Sequence, residues 1–151
     1  MKKRLKSGVL AVLLAAVLIL LAENGAAHCN GRRLKAALED IRTDTVLLNQ
    51  VVPFDWDAVY TFSPYTPVEE MEAAMGLQSR LLRQTVSENM VQLIFVRGNR
   101  VVCNVQGYPD ALGYQIRLSR WGSRGAVLTC RENARFSVSR SGGVVELVQI
   151  E

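Results

Sequence analysis

The stretch that decides the fold is VPFDWDAVYTFSPYTPVEEMEAAMG, residues 52–76. At its centre, Val59-Tyr60-Thr61-Phe62 is β-branched or aromatic throughout. That predicts a short strand with Tyr60 and Phe62 on one face, hence in a core. Ser63-Pro64-Tyr65 then turns the chain. Thr66-Pro67-Val68-Glu69 has the form of a capping box with proline at the first helical position. In that form the Thr66 hydroxyl takes a free backbone N–H and Glu69 reaches back. The helix carries Val68, Met71 and Met75 on one side and stops at Gly76, a left-handed terminator.

Downstream, residues 90–96 (MVQLIFV) are apolar on both faces, which predicts a central strand. Arg97-Gly98-Asn99-Arg100 supplies a hairpin turn, and Val101-Val102-Cys103-Asn104-Val105 returns. Gly107-Tyr108-Pro109-Asp110 breaks the sheet. Residues 114–118 and 126–130 are weaker strands, and residues 136–140 and 144–150 pair about Gly142-Gly143. Upstream, Leu34, Leu38, Ile41, Thr45 and Leu48 follow a helical stripe, which predicts one amphipathic helix over residues 31–49, ended by Pro53. The order predicts an α+β domain: one antiparallel sheet of about five to six strands with two helices packed on one face.

Before that domain comes MKKRLKSGVLAVLLAAVLILLAENGAA, residues 1–27. Lys2, Lys3, Arg4 and Lys6 form a basic flank, and residues 9–22 are an unbroken apolar run. Roughly 20 apolar residues are needed to span a bilayer, so this run has the length of a signal-peptide core. Gly25 and Ala27 are small residues at −3 and −1 of a cut after Ala27. The expectation is a signal peptide over 1–27, or an uncleaved membrane anchor, followed by a single exported domain over 28–151. Either way the basic flank stays inside. Cys29 raises a third option, lipidation, although His28 stands where that motif wants a small residue.

The formal charge of +4 misleads, because residues 1–27 carry four basic residues and one acidic. The remainder is nearly neutral, which gives no argument for nucleic acid. Within it the charge is divided. Residues 36–96 hold nine acidic and three basic residues, whereas residues 97–140 hold eight arginines and two acids. Trp121, between Arg120 and Arg124, makes that half a candidate face for an anionic envelope polymer or a protein partner. The alternative is a set of solvated strand edges. The aromatics Phe54, Trp56, Tyr60, Phe62 and Tyr65 suit packing more than a ligand platform, and Trp56 and Tyr65 are the two among them that are candidates for exposure and binding.

The chemistry on offer is narrow. The single histidine, His28, lies at the processing junction, which excludes Ser–His–Asp and Cys–His mechanisms within the domain. Zinc-ligand spacing and a glycine-rich phosphate loop are missing, so no metal and no cofactor is expected. Asp55 and Asp57 are a tight carboxylate pair. They can hold a hard cation such as calcium, or terminate a loop by capping backbone groups. Asp57 with Glu69 or Glu70 is a second conceivable acid pair. Those glutamates also suit the first turns of a helix through its dipole. Cys103 and Cys130 point to the apolar side of their strands, Cys103 with Val101 and Val105. They are either two buried thiols or a disulfide, which over a loop of about 28 residues is worth roughly 3.5 kcal/mol.

The segments FDWDAVYTFSPYTPVEEMEAAMG and QLIFVRGNRVVCNV resemble a family of small exported or lipoprotein-like proteins of Firmicutes. Trp56, Asp57, Pro64, Tyr65, Thr66, Glu70 and Gly76 carry the likeness, over roughly residues 54–105. The resemblance implies export and an α+β domain, and brings no activity with it. More weakly, residues 66–76 are similar to the first helix of small outer-membrane-assembly lipoproteins and of β-lactamase-inhibitor-like domains. The expected function is therefore that of an exported, non-enzymatic binding domain at the cell surface or envelope. Its alternatives are an inhibitor or immunity-type module, and a histidine-free, carboxylate-dependent hydrolase.

Overall fold

A computed structural model of the chain describes residues 2–119, 122 and 124–150. Within the N-terminal helix it describes side chains from Gly8 onward, apart from Leu20, Glu23 and Asn24. The helix α1 (Lys2–Glu39) leads into β1 (Thr45–Leu47), α2 (Leu48–Val51), β2 (Ala58–Phe62) and α3 (Val68–Met75). There follow β3 (Val91–Arg97), β4 (Arg100–Gly107), α4 (Pro109–Leu112) and β5 (Tyr114–Arg117). The chain closes with β6 (Gly125–Thr129), a 3-10 turn (Cys130–Glu132), β7 (Arg135–Ser141) and β8 (Val144–Gln149).

The class is α+β, but the strands divide into two four-stranded sheets, ordered β1-β7-β8-β5 and β4-β3-β2-β6. The expected single sheet is thus corrected. β5 pairs with β8 in parallel, Tyr114 opposite Val145, while β6 crosses over to pair with β2, Ala58 opposite Thr129. A short strand with one apolar face specifies what it packs on, not which neighbour it bonds. β3 is internal, as its two apolar faces predict, and Gly142-Gly143 turns β7 into β8 with φ of 57° and 83°.

Alternation along β2 and β3 fills two cores. Val59, Leu93 and Phe95 join Leu34 and Leu38 of α1 and Phe136 and Leu147 of the other sheet. Ala58, Phe62 and Ile94 face the other way, under Met71 of α3 and Leu77 and Leu82 of the following segment. The two helices therefore lie on opposite faces of the β4-β3-β2-β6 sheet, not on one. A bulge shapes its outer half: Phe95 pairs with Cys103 but Val96 with Val101, leaving Val102 as the extra residue. Val101 consequently packs in the second core, away from Cys103, whose face it was expected to share.

The amphipathic helix ends earlier than its stripe predicts. Arg42 Nη1 donates to the Glu39 carbonyl at 2.9 Å, and Thr43 Oγ1 to the Thr45 carbonyl at 2.9 Å. Thr45 then opens β1, opposite Ser137 of β7. Local hydroxyl bonding and a β-branched Thr-Val pair outweigh the helical spacing here. The Thr66 cap is also corrected. Pro67 is the N-cap of α3, and Thr66 Oγ1 donates instead to the Ser63 carbonyl at 2.7 Å, closing the proline turn. Gly76 terminates α3 at φ 66°, as expected.

Candidate functional site

The carboxylate pair of residues 55 and 57 is engaged in structure. Asp55 Oδ2 meets Arg97 Nη1 at 2.7 Å, and Asp57 Oδ2 accepts from the Gly98 amide at 2.6 Å. Asp57 therefore caps a backbone amide at the β3–β4 turn, as the loop-capping alternative has it, whereas Asp55 holds the same turn by an ion pair with the Arg97 side chain. Among the described residues no group of three or more His, Cys, Asp or Glu side chains is arranged to hold a metal ion.

The two aromatic candidates for exposure part company. Tyr65 is 52 % exposed and holds a left-handed φ of 64°. Its amide donates to the Thr85 carbonyl at 3.1 Å and its carbonyl accepts from Gln84 at 2.8 Å, which fixes that uncommon conformation. Trp56 is buried, edge-on to Phe95 with ring centroids 5.6 Å apart, so its expected exposure is corrected. Its tight cluster with Phe54 and Phe95 uses its area for packing.

Arg120 and Trp121 lie outside the described residues. Arg124 is placed: its carbonyl accepts from the Ser63 amide at 3.1 Å, and its guanidinium lies 3.6 Å from Glu70. The proline turn and the arginine-rich segment thus meet at one edge, which brings Arg124 to the turn that carries Tyr65.

All three cysteines are free, which selects thiols over the 103–130 disulfide. Cys103 is buried beneath Gly31 of α1, and burial pushes its pKa from 9.0 up to about 12. Tyr114 is raised as well, by burial first and by the neighbouring Cys103 second. A thiol held this way stays protonated and inert as a nucleophile. Cys29 is exposed on α1.

Sequence reasoning missed a second location. Residues 77–90 form an irregular strap over the second core, pinned by side-chain amides. Asn104 donates to the Leu81 carbonyl at 2.5 Å, Gln92 to Arg83 at 2.8 Å and Gln106 to Gln84 at 3.0 Å. Where the strap, the β3–β4 turn and α1 meet, an open groove of about 800 Å³ forms. Its lining includes Ala26 and Asn30 of α1, Glu72, Arg80 of the strap, and Asn99 and Arg100 of the turn. Glu72 Oε1 accepts from the Ser79 amide at 3.2 Å, turning that carboxylate toward the strap. Asn30 donates to the Val102 carbonyl at 2.9 Å, tying α1 to the bulge. These residues are ordinary polar types drawn from four distant segments, so no spacing in the chain signals them.

The helix that forms one wall changes character along its length. Ala27, Leu34 and Leu38 are buried against the domain. Nine larger apolar side chains between Val9 and Leu21 are 51–70 % exposed. Among the described residues no helix is long and apolar enough to cross a membrane.

The chain matches no family model, no curated protein and no solved structure. The resemblance of residues 54–105 to exported Firmicutes proteins therefore rests on its motif residues alone.

Proposed function

We propose that this chain is an exported, envelope-associated binding domain, held at a membrane surface by the apolar half of α1. The observation that carries the reading is the exposed apolar surface between Val9 and Leu21 on a helix that runs unbroken into the main core. Leaving those nine side chains in water forfeits on the order of 10 kcal/mol of transfer free energy, so the segment needs an apolar phase. Retention is favoured over cleavage after Ala27 because that peptide bond lies inside α1, with Ala27 packed on the domain. A peptidase needs the backbone extended, so the helix must first unwind there. The groove offers a binding surface, and the Asp55 and Asp57 carboxylates are engaged by Arg97 and the Gly98 amide.

Intact-mass measurement on native material, after separating membranes from soluble protein, tests the reading. It expects the full chain in the membrane fraction. A mass beginning at His28 in the soluble fraction would establish a signal peptide, and a lipid-sized increment on Cys29 a lipoprotein. Capture of a secreted enzyme with loss of that enzyme's activity would favour the inhibitor alternative.

A further inference from the structure

The groove sits at a definite height above the apolar segment. The apolar run ends at Ala22 and the groove begins at Ala26, four residues on, a rise of about 6 Å along the helix. The polar headgroup layer of one leaflet is roughly 5–8 Å deep. With the axis of α1 along the membrane normal and its apolar half in hydrocarbon, the groove falls in the headgroup layer. The lining there is amphipathic: Ala26, Leu81 and Val102 give it an apolar side, and Arg80 and Arg100 give it two guanidinium groups. Glu72, the one carboxylate of the lining, is turned to the Ser79 amide. Arg80 is exposed on the strap, and a guanidinium presents paired donors that match phosphate oxygens.

We propose that this groove binds the phosphate headgroup of an anionic glycerophospholipid, with Arg80 as its principal contact. The inference rests on the membrane-held reading of α1. It adds that the domain reads the membrane's charge and is fixed in orientation against it, with the strap and the β3–β4 turn facing the lipid.

The test is partitioning of the full chain onto phosphatidylcholine vesicles with and without phosphatidylglycerol. The chain is expected to bind both and to favour the anionic vesicles, the preference fading as salt rises. Arg80→Ala should cut the preference roughly fivefold and Arg80→Glu should cut it further, down to the preference that Lys2, Lys3, Arg4 and Lys6 confer by themselves, while binding to neutral vesicles persists. Arg83→Glu, on the same strap outside the groove, controls for net charge and should retain most of the preference. Circular dichroism confirms that each variant is folded. Equal binding to both vesicle types, or equal loss with Arg83→Glu, overturns the headgroup site and leaves the membrane-held reading standing. Failure to bind either vesicle overturns both. Displacement by inorganic phosphate or soluble polyphosphate at matched ionic strength would reassign the groove to free anions and overturn the lipid assignment.

Discussion

Cys103 shows what one buried side chain imposes on the molecule. Its pKa rises from 9.0 to about 12 because burial disfavours the thiolate. The unfolded chain therefore gives up this proton first. The stabilisation is intact below pH 9.0 and is lost as pH rises toward about 12, by about 1.4 kcal/mol per pH unit. Tyr114 acts in the same direction at still higher pH. Denaturant midpoints followed upward from pH 9 should fall steadily in the native chain and less steeply in Cys103→Ala. Equal slopes would show that the thiol is not the titrating group. Thr66 makes a second case, because its hydroxyl donates to the Ser63 carbonyl and does not cap α3. Thr66→Ser should then be nearly neutral and Thr66→Ala should cost about 1 kcal/mol. Thr66→Asp, an equally good N-cap by type, should cost more because a carboxylate faces the carbonyl. A stable Asp variant by thermal denaturation would restore the capping-box reading. At this scale the role of Asp57 was legible, since an acidic residue just before a strand commonly holds loop backbone, whereas the Asp55 ion pair with Arg97 was not, because its partner lies some forty residues on. The Thr66 bond was not, because a threonine before Pro-Val-Glu fits a cap and a closed turn equally well.

Elements were legible wherever two signals agreed. β3 with its turn, the Gly142-Gly143 hairpin and α3 with its Gly76 stop all combine periodicity with turn chemistry. β1 was missed because Thr45 and Leu48 also fit a helical stripe, and its pairing with β7 lies some ninety residues away. The second sheet was missed for the same reason: nothing local in Tyr114–Arg117 names β8 as its partner. Gly125 carries the consequence. It enters β6 where a Cβ would lie 2.1 Å from the Thr61 carbonyl oxygen and 2.9 Å from the Phe62 Cα, both backbone atoms that cannot yield cheaply. Gly125→Ala should therefore open the β2–β6 pairing and cost about 3 kcal/mol or more, read as a lowered denaturation midpoint. The strap makes a gentler prediction. Gln92 and Asn104 each spend an amide on it while their side-chain carbonyls stay buried without a partner among the described residues. The double variant Gln92→Ala, Asn104→Ala should speed hydrogen exchange of the Tyr65 amide, bonded to Thr85 of the strap, on the order of tenfold. Unchanged exchange would mean that Leu77 and Leu82 hold the strap without the amides.

For the whole molecule the decisive feature is where α1 stops being surface and becomes core. Residues 1–27 stand apart in composition, and the packed face of α1 begins at Ala27, 5 % exposed, within a residue of that compositional edge. The agreement has a physical basis. Gly31 brings the helix close enough for an added Cβ to touch Val105 at 3.8 Å, and Leu34 and Leu38 fill the space beneath. The described apolar side chains of the preceding turns are exposed. Residues 1–25 should then contribute little to the domain's own stability. A chain beginning at Ala26 should unfold within about 1 kcal/mol of the full chain in mild detergent, since it keeps every side chain of the helix that is buried among the described residues. Extending the deletion through Leu34 removes a fully buried leucine, along with Ala27 and the Asn30 bond to the Val102 carbonyl. Leu34→Ala alone should cost 2–5 kcal/mol, as buried leucines do, and the longer deletion should abolish cooperative unfolding. Denaturation curves of the three variants decide it. A large loss already on removing residues 1–25 would mean that the apolar half of α1 packs on the domain, and that its exposure does not call for a membrane.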